Sequence, residues 1–465
     1  MTSAATAVPD PRFHGWTVVR GCMAMAVVTW SLGLFGPSAY LRALHESTGL
    51  SVSLISSAIT THFLVAACAQ MLVGSAIDRL GPGRVLPFGA CAMAAGVTGI
   101  GYAQAPWHLF AAFAVLGIGW ACLSSTAIST TLSPWFERHQ GRAMSTALLG
   151  ASIGGMAGVP LLLFAITQLG LRGAMLAAAA VVLIVVVPIA LFVLRRRPRE
   201  MGLHPDGDPP AGASAAAPSV VLASTPAIAP AHDTAHDTDP VPGPPHAPQT
   251  PQTPPPPARP PAHPPWTRTT AIRSLRLWTV MLGFGLAFVV QIGFVSHHVP
   301  LLVPALGIAG ASITVSATSV AAFVGRILLA RYADRVDVRR GAAGVLLATA
   351  MSLALLAVFP DPVVLVAASV LLGLNMGNVT TLAPIIVRRE FGSHAFGSIY
   401  GSAATCIQLM GAIGPGLFGA LYDRFGGYGP PLLLATGLEV VGAGLLLYGA
   451  RGARVAGGIP AITEP

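Results

Sequence analysis

The sequence predicts an all-α membrane protein of about twelve transmembrane helices, built as two pseudo-symmetric six-helix halves with both termini cytoplasmic. Three observations carry this. Apolar residues make up 54% of the 465 positions and charged residues 9%, with a mean hydropathy of +0.70; a soluble domain carries about 25% charged residues. The apolar residues fall into runs long enough to cross a bilayer. Finally, Gly74-Ser75-Ala76-Ile77-Asp78-Arg79-Leu80-Gly81-Pro82-Gly83-Arg84 has a counterpart in Ala330-Arg331-Tyr332-Ala333-Asp334-Arg335-Val336-Asp337-Val338-Arg339-Arg340. Asp78 and Asp334, and likewise Arg84 and Arg340, are 256 positions apart, so one unit occurs twice.

A spanning helix needs about 20 mostly apolar residues. Such runs lie near 16–40, 52–73, 85–104, 108–131, 142–167 and 173–194, then near 275–303, 311–332, 341–359, 362–387, 397–420 and 429–450. The polar tail 1–15 leads into the first run with no small-residue cleavage site, so that run is expected to be a retained helix, not a signal peptide. The halves are then 16–197 and 273–450, followed by a tail, 451–465. Arg79 and Arg84, Arg138 and Arg142, Arg195 to Arg197, Arg331 to Arg340, and Arg388 and Arg389 fall in alternate loops, with only Arg42, Arg172 and Arg424 opposite. By the positive-inside rule the first set faces the cytoplasm. Glycines at 150, 154 and 158, and at 411 and 414, read as close helix packing.

Between the halves, 198–272 holds about half of the chain's 40 prolines, including Pro254 to Pro257. It cannot bury enough apolar surface to offset its ordering entropy, and is expected to be a disordered or polyproline II linker. His232-Asp233-Thr234-Ala235-His236-Asp237 inside it reads as low-complexity repetition before a metal site. A partner of the SH3 type for the proline run is the alternative to a plain linker. The five cysteines lie in apolar runs and read as inert buried thiols.

Every basic residue among the 26 is arginine. A Walker A loop needs its lysine, so the chain is not itself a P-loop ATP-driven pump, and Schiff-base chemistry is excluded too. No motif pairs a nucleophile with a base or clusters metal ligands. An enzyme, a cofactor and a nucleic-acid partner are therefore not expected.

The loop unit at 74–84, Gly15-Trp16 opening the first span, Pro134-Trp135-Phe136 with Gly141-Arg142 before the fifth, and Phe396-Gly397-Ser398-Ile399-Tyr400-Gly401 with Leu421-Tyr422-Asp423 around the eleventh together resemble the major facilitator superfamily. Within it they resemble the monocarboxylate-transporter and oxalate/formate-antiporter branch. The resemblance covers nearly everything outside the tails and linker. It implies gating by Asp78, Arg79 and Arg84 and their counterparts Asp334, Arg335 and Arg340, with the Asp78 carboxylate engaging the positive start of the eleventh helix.

Arg326, in the eighth span, is the leading substrate-binding candidate. An arginine within a span costs about 2.5–3.5 kcal/mol on insertion scales, and Ser312, Ser316 and Ser319 extend its polar stripe. Either its guanidinium forks onto a substrate carboxylate, or it snorkels or pairs with Asp334. The resemblance also implies a substrate-contacting arginine here. The acid expected one turn earlier is replaced by Ala322, and the lysine expected at the outer end of the first span by Ser38, so the proton-relay set is not carried over. His297, His298 and His62 are the proton-coupling candidates in its place. Gln291, Asn375, Asn378, Ser125, Tyr400 and Gln408 are further candidates for a central cavity, beside Ser129 and Thr405; Glu439 has no assigned role.

The expected function is secondary transport of a small organic anion, a monocarboxylate, by rocking of the halves. A membrane potential costs an entering anion about 2.3 kcal/mol per 100 mV, so a co-transported proton or a counter-anion is required, with proton symport preferred. The bilayer of the cytoplasmic, inner membrane is the expected location. Alternatives are an anion exchanger, an efflux carrier for a drug or metabolite, and, in another class, a sensor or scaffold acting through the linker.

Overall fold

A computed structural model describes residues 13–207, 266–332, 337–392 and 395–456. Among them no strand occurs. Among the described residues, ten helical stretches are long and apolar enough to cross a membrane: α1 His14–Thr48, α2 Val52–Leu80, α3 Pro82–Gly101, α4 Pro106–Leu132, α5 Gln140–Val193, α6 Leu275–Leu329, α7 Val338–Val358, α8 Pro362–Phe391, α9 Phe396–Phe425 and α10 Gly429–Ala450. At 54 and 55 residues, α5 and α6 are each two crossings long. Each bends at one left-handed glycine, Gly170 (φ 67°) and Gly307 (φ 66°), a conformation L side chains resist. Ten stretches thus supply twelve crossings, as the apolar runs require. The repeat reaches these bends as well: Gly426, 256 positions after Gly170, is also left-handed at φ 73°.

Local chemistry sets the helix ends. Ser51 caps α2 by accepting from Leu54 N at 3.3 Å. Asp361 caps α8 ahead of Pro362 through Val363 N at 2.8 Å and Val364 N at 3.4 Å. Asp337 caps α7 through Arg339 N at 3.0 Å and Arg340 N at 3.1 Å. Each carboxylate or hydroxyl satisfies amides that have no partner within the helix.

The glycine stripes bring helices into backbone contact. Any side chain at Gly150 or Gly154 would collide with the Met23 or Val27 carbonyl of α1, and one at Gly414 with the Val289 carbonyl of α6. Such small-residue faces are how helices approach closely where lipid offers no hydrophobic drive.

Packing is uneven along the membrane normal. One apolar core runs through the N-terminal half and, at the end away from the arginine-rich loops, joins Phe294, Val299, Leu356, Leu365, Phe418 and Leu432 of the C-terminal half. At the arginine-rich end the C-terminal half has a separate core around Leu277, Phe284, Leu346, Leu382 and Ile399. The halves are therefore closed against each other at the outer end and independently packed at the other.

Two buried charges organise the arginine-rich end. Arg339 is 4% exposed and forks onto Glu390 through Nε and Nη2. It also donates to Thr279 Oγ1 (3.0 Å), Leu446 O (3.2 Å) and Arg276 O (3.0 Å), joining α6, α7, α8 and α10. On the N-terminal half, the Asp206 side chain, 2% exposed, accepts from the amides of Glu137 (3.1 Å), Arg138 (2.8 Å) and His139 (3.3 Å), with His139 Nδ1 at 3.1 Å. The first residues of the expected linker are thus fastened beneath the start of α5. The proline-rich remainder, His232 to Asp237, Asp334, Arg335 and most of both tails lie outside the described residues.

Candidate functional site

Two cavities meet between the halves. The wider one, about 610 Å³, lies toward the arginine-rich end, among α2, α4, α5, α6, α8 and α9, with Trp30 of α1 at its head. A smaller chamber of about 70 Å³ lies beyond it and is walled by Phe35, Ser38, Val295, His298, Val315 and Ser319; it holds only a few water-sized groups. Trp30, Leu34, Ala151, Gln291 and Arg326 line both spaces, so they form the neck. Trp30 and Trp120 meet there with ring centroids 4.9 Å apart.

Arg326 is half-buried on the second limb of α6. Its Nε donates to Gly377 O at 3.3 Å and its Nη1 to Ser152 Oγ at 3.5 Å, reaching from one half to the other. Both acceptors are neutral, and among the described residues Arg326 has no ion pair. Of the roughly five N–H donors of a guanidinium, these two bonds use two, and the residue lines both cavities. No aspartate or glutamate lines either cavity among the described residues. The site is a cationic neck between aromatic and aliphatic walls, suited to an anion. The alternative partner, Asp334, lies outside the described residues. Of the serine stripe, only Ser319 lines the chamber; Ser316 Oγ donates across to Met156 O at 2.6 Å, and Ser312 bonds back to Ile308 O.

The other predicted residues separate by position. Gln291 is at the neck; Ser125, Tyr400 and Gln408 line the wide cavity, with Tyr400 stacked on Phe396 at 5.5 Å. Asn375 and Asn378 are buried on α8 and do not line either space. Their amides bond back to Leu371 O (2.9 Å) and Leu374 O (3.2 Å), while Met376 and Gly377 present that helix to the chamber. Thr405 likewise bonds back, to Gly401 O.

The three histidines part company. His298 lines the chamber, its Nε2 3.2 Å from Ser369 Oγ. His297, one residue earlier, points to the outer closure, where its ring nitrogens meet Ser56 Oγ (3.2 Å), Pro415 O (3.1 Å) and Tyr428 Oη (3.1 Å). His62 is buried in the N-terminal half, with Nε2 3.0 Å from Gly33 O. Glu439 is 2% exposed on α10 with Oε2 unpartnered among the described residues, and lines neither cavity.

Asp78, Arg79, Arg84 and Arg340 are exposed at the arginine-rich end. Among the described residues the Asp78 carboxylate has no hydrogen bond; its carbonyl accepts from Arg197 Nη2 at 3.0 Å. The latch onto the eleventh crossing implied by the sequence resemblance is not formed in this conformation. An equivalent contact stands at the outer end instead, where Asp423 Oδ2, at the end of α9, accepts from Ser53 N in the first turn of α2 at 2.8 Å.

Sequence reasoning missed Ser152, Trp30 and Met376 at the site. The Gly150/Gly154 stripe was the available signal for Ser152, because it places that stretch of α5 at the interface of helices.

A profile described as Major Facilitator Superfamily matches residues 21–415. The chain is 26% identical over 179 residues to the "Oxalate:formate antiporter" of Oxalobacter formigenes, covering 38% of this chain and 41% of that protein. It is 30% identical over 189 residues to "Monocarboxylate transporter 11" of Mus musculus, covering 39% and 40%. The aligned stretches thus span about two-fifths of these relatives' length. The crystal structure of the nucleoside transporter NupG is similar in fold, with a TM-score of 0.68 at 12% identity over 93% of this chain and 99% of that one. The twice-six plan, the cavity between halves and the profile match agree: the chain belongs to the major facilitator superfamily, as a multi-pass membrane transporter and not an enzyme.

Proposed function

We propose that the chain carries a small organic anion, a monocarboxylate, across the cytoplasmic membrane by alternating access, with a proton as the co-substrate. The observation that carries this reading is Arg326: a guanidinium at the neck of the central cavity, bonded only to neutral acceptors, with donors left over. A charge at this depth needs a counter-charge, and a carboxylate supplies one with matching fork geometry. The printed names of two relatives, an oxalate:formate antiporter and a monocarboxylate transporter, support carboxylate substrates. An efflux carrier for apolar drugs would have no use for this cation.

The arginine-rich end is read as cytoplasmic, which makes this conformation inward-facing. Potential opposes anion entry by about 2.3 kcal/mol per 100 mV, and an accompanying proton cancels that. His298 is the imidazole within the cavity and is the proposed proton site; His297 and His62 are assigned to packing. Exchange for a second anion is the competing reading, favoured by the lack of carboxylates in the cavity lining among the described residues.

Uptake of labelled carboxylates into proteoliposomes, driven either by an inward proton gradient or by preloaded anion, tests both. Arg326→Gln is expected to lower uptake about tenfold to a hundredfold, the loss of one charge-assisted fork, with Arg326→Lys intermediate. Uptake unchanged in Arg326→Gln would overturn the reading, and uptake driven only by preloaded anion would replace symport with exchange.

A further inference from the structure

The two halves differ at their arginine-rich ends in a way the repeat makes visible. Arg20, Arg84 and Arg195 each have an arginine 256 positions on, at Arg276, Arg340 and Arg451. In the C-terminal half this corner is tied within the protein, by Arg339 forked onto Glu390 and donating to Arg276 O. The corresponding positions of the N-terminal half are Gly83 and Pro134, so the tie and its acid are both replaced. There the end of α5 lies between α1 and α3: an added Cβ at Gly21 would meet Val193 and Leu194 at 3.2 Å, and one at Gly83 would meet Arg195 Cγ at 2.6 Å. Arg20, Arg84, Arg195 and Arg196 are exposed around this contact. Arg20 donates to Thr17 Oγ1 at 3.2 Å, and among the described residues none of the four has an ion pair. Arg197, next in line, is spent on the carbonyls of Ile77 (3.2 Å) and Asp78 (3.0 Å). About one turn deeper into the membrane, Phe88 of α3 and Phe192 of α5 are 61% and 78% exposed.

We infer that this corner of the N-terminal half holds an anionic phospholipid of the leaflet at the arginine-rich end, its phosphodiester on Arg84, Arg195 and Arg196 and its acyl chains along Phe88 and Phe192. Guanidinium forks match phosphate oxygens, and basic corners between transmembrane helices on the cytoplasmic side are suited to anionic headgroups. A zwitterionic lipid brings a cation of its own, which the arginines repel. A soluble phosphate has nothing to lay on the two rings. The site lies outside the central cavity, so it stands whatever the carrier transports.

Native mass spectrometry of the delipidated full chain in detergent, titrated with phosphatidylglycerol or phosphatidylcholine of matched acyl chains, tests the site. Each arginine beside an anionic headgroup strengthens binding about fivefold. The native chain should therefore bind its first phosphatidylglycerol about tenfold or more tighter than phosphatidylcholine, and Arg195→Gln with Arg196→Gln should abolish that preference. Arg340→Gln with Arg388→Gln removes the same charge from the same end of the C-terminal half and should leave the preference intact. An equal loss in both double variants would reduce the effect to net charge and overturn the site. Equal binding of the two lipids by the native chain would overturn it as well, and that ratio decides even where a variant fails to fold. Binding of soluble glycerophosphoglycerol as tight as that of the lipid would replace the phospholipid with a plain anion.

Discussion

Two charges show how local chemistry divides structural from functional roles. Asp206 is saturated: three amides and the His139 ring are directed at one carboxylate, and nothing is left for a ligand. Arg326 is the reverse, a cation with two long bonds to neutral oxygens. Burial works to raise the Asp206 pKa, but the amides of Arg138, Glu137 and His139 and the imidazole of His139 together hold it below the ordinary carboxylate value. A carboxyl whose folded value is depressed adds stability that is fully present above its unfolded value, about 3.9, and fades as pH falls through the folded value. Asp206→Asn should therefore lower stability by about 1–3 kcal/mol near neutral pH, by an amount that shrinks as pH falls below about 4. Asparagine tolerates the left-handed backbone found at Asp206 (φ 60°), so the substitution isolates the charge. Melting curves across pH measure it; a native-minus-variant difference that does not shrink below about pH 4 would assign the effect to another group.

At the scale of elements, the repeat was legible in the sequence but its structural use was not. The matched residues Arg84 and Arg340 are exposed, while Arg339, one position earlier, is the buried tie among α6, α7, α8 and α10. Its counterpart 256 positions earlier is Gly83, where an added Cβ would come within 2.6 Å of Arg195 Cγ, so the two halves fill this corner differently. Identity between repeats reports common ancestry of the loops; which arginine is buried depends on partners far away in the chain. The asparagines of α8 stand off the cavity in this conformation for the same kind of reason, since Met376 and Gly377 line the chamber while the amides of Asn375 and Asn378 bond back along their own helix. The Arg339–Glu390 tie has a clear expectation. Removing one member strands a buried charge and costs about 3–5 kcal/mol, whereas replacing both by apolar residues of similar volume is near neutral. Arg339→Met should melt well below the native chain and the double variant Arg339→Met with Glu390→Leu well above the single one. A double variant no more stable than Arg339→Met would show that the fork to Glu390 is not what Arg339 contributes.

Over the whole molecule, a handful of polar bonds joins the two halves at the outer end, beside the apolar core they share there, and these bonds bias the balance between conformations. Asp423 on the start of α2, Thr60 Oγ1 accepting from Gly416 N at 2.9 Å, and Ser56 against His297 at 3.2 Å tie α2 of one half to α6 and α9 of the other. Gly416 and Gly419 leave room for this approach, a Cβ at Gly419 meeting Ser56 Cβ at 2.5 Å. Alternating access requires this closure to be reversible, so it must be weak enough for substrate binding to tip. A carboxylate at a helix start adds about 0.3–1 kcal/mol and each neutral hydrogen bond about 0.5–1.5 kcal/mol. Asp423→Asn with Thr60→Val should then raise the population open at the outer end several-fold, up to about a hundredfold, without touching Arg326. Spin labels at Thr48 and Gly427, placed after replacing the five native cysteines, read the separation of the halves at that end. A longer-distance population that grows in the variant places the gate in this network; an unchanged distribution would mean that the shared apolar core around Phe294 and Phe418 holds the outer end shut by itself.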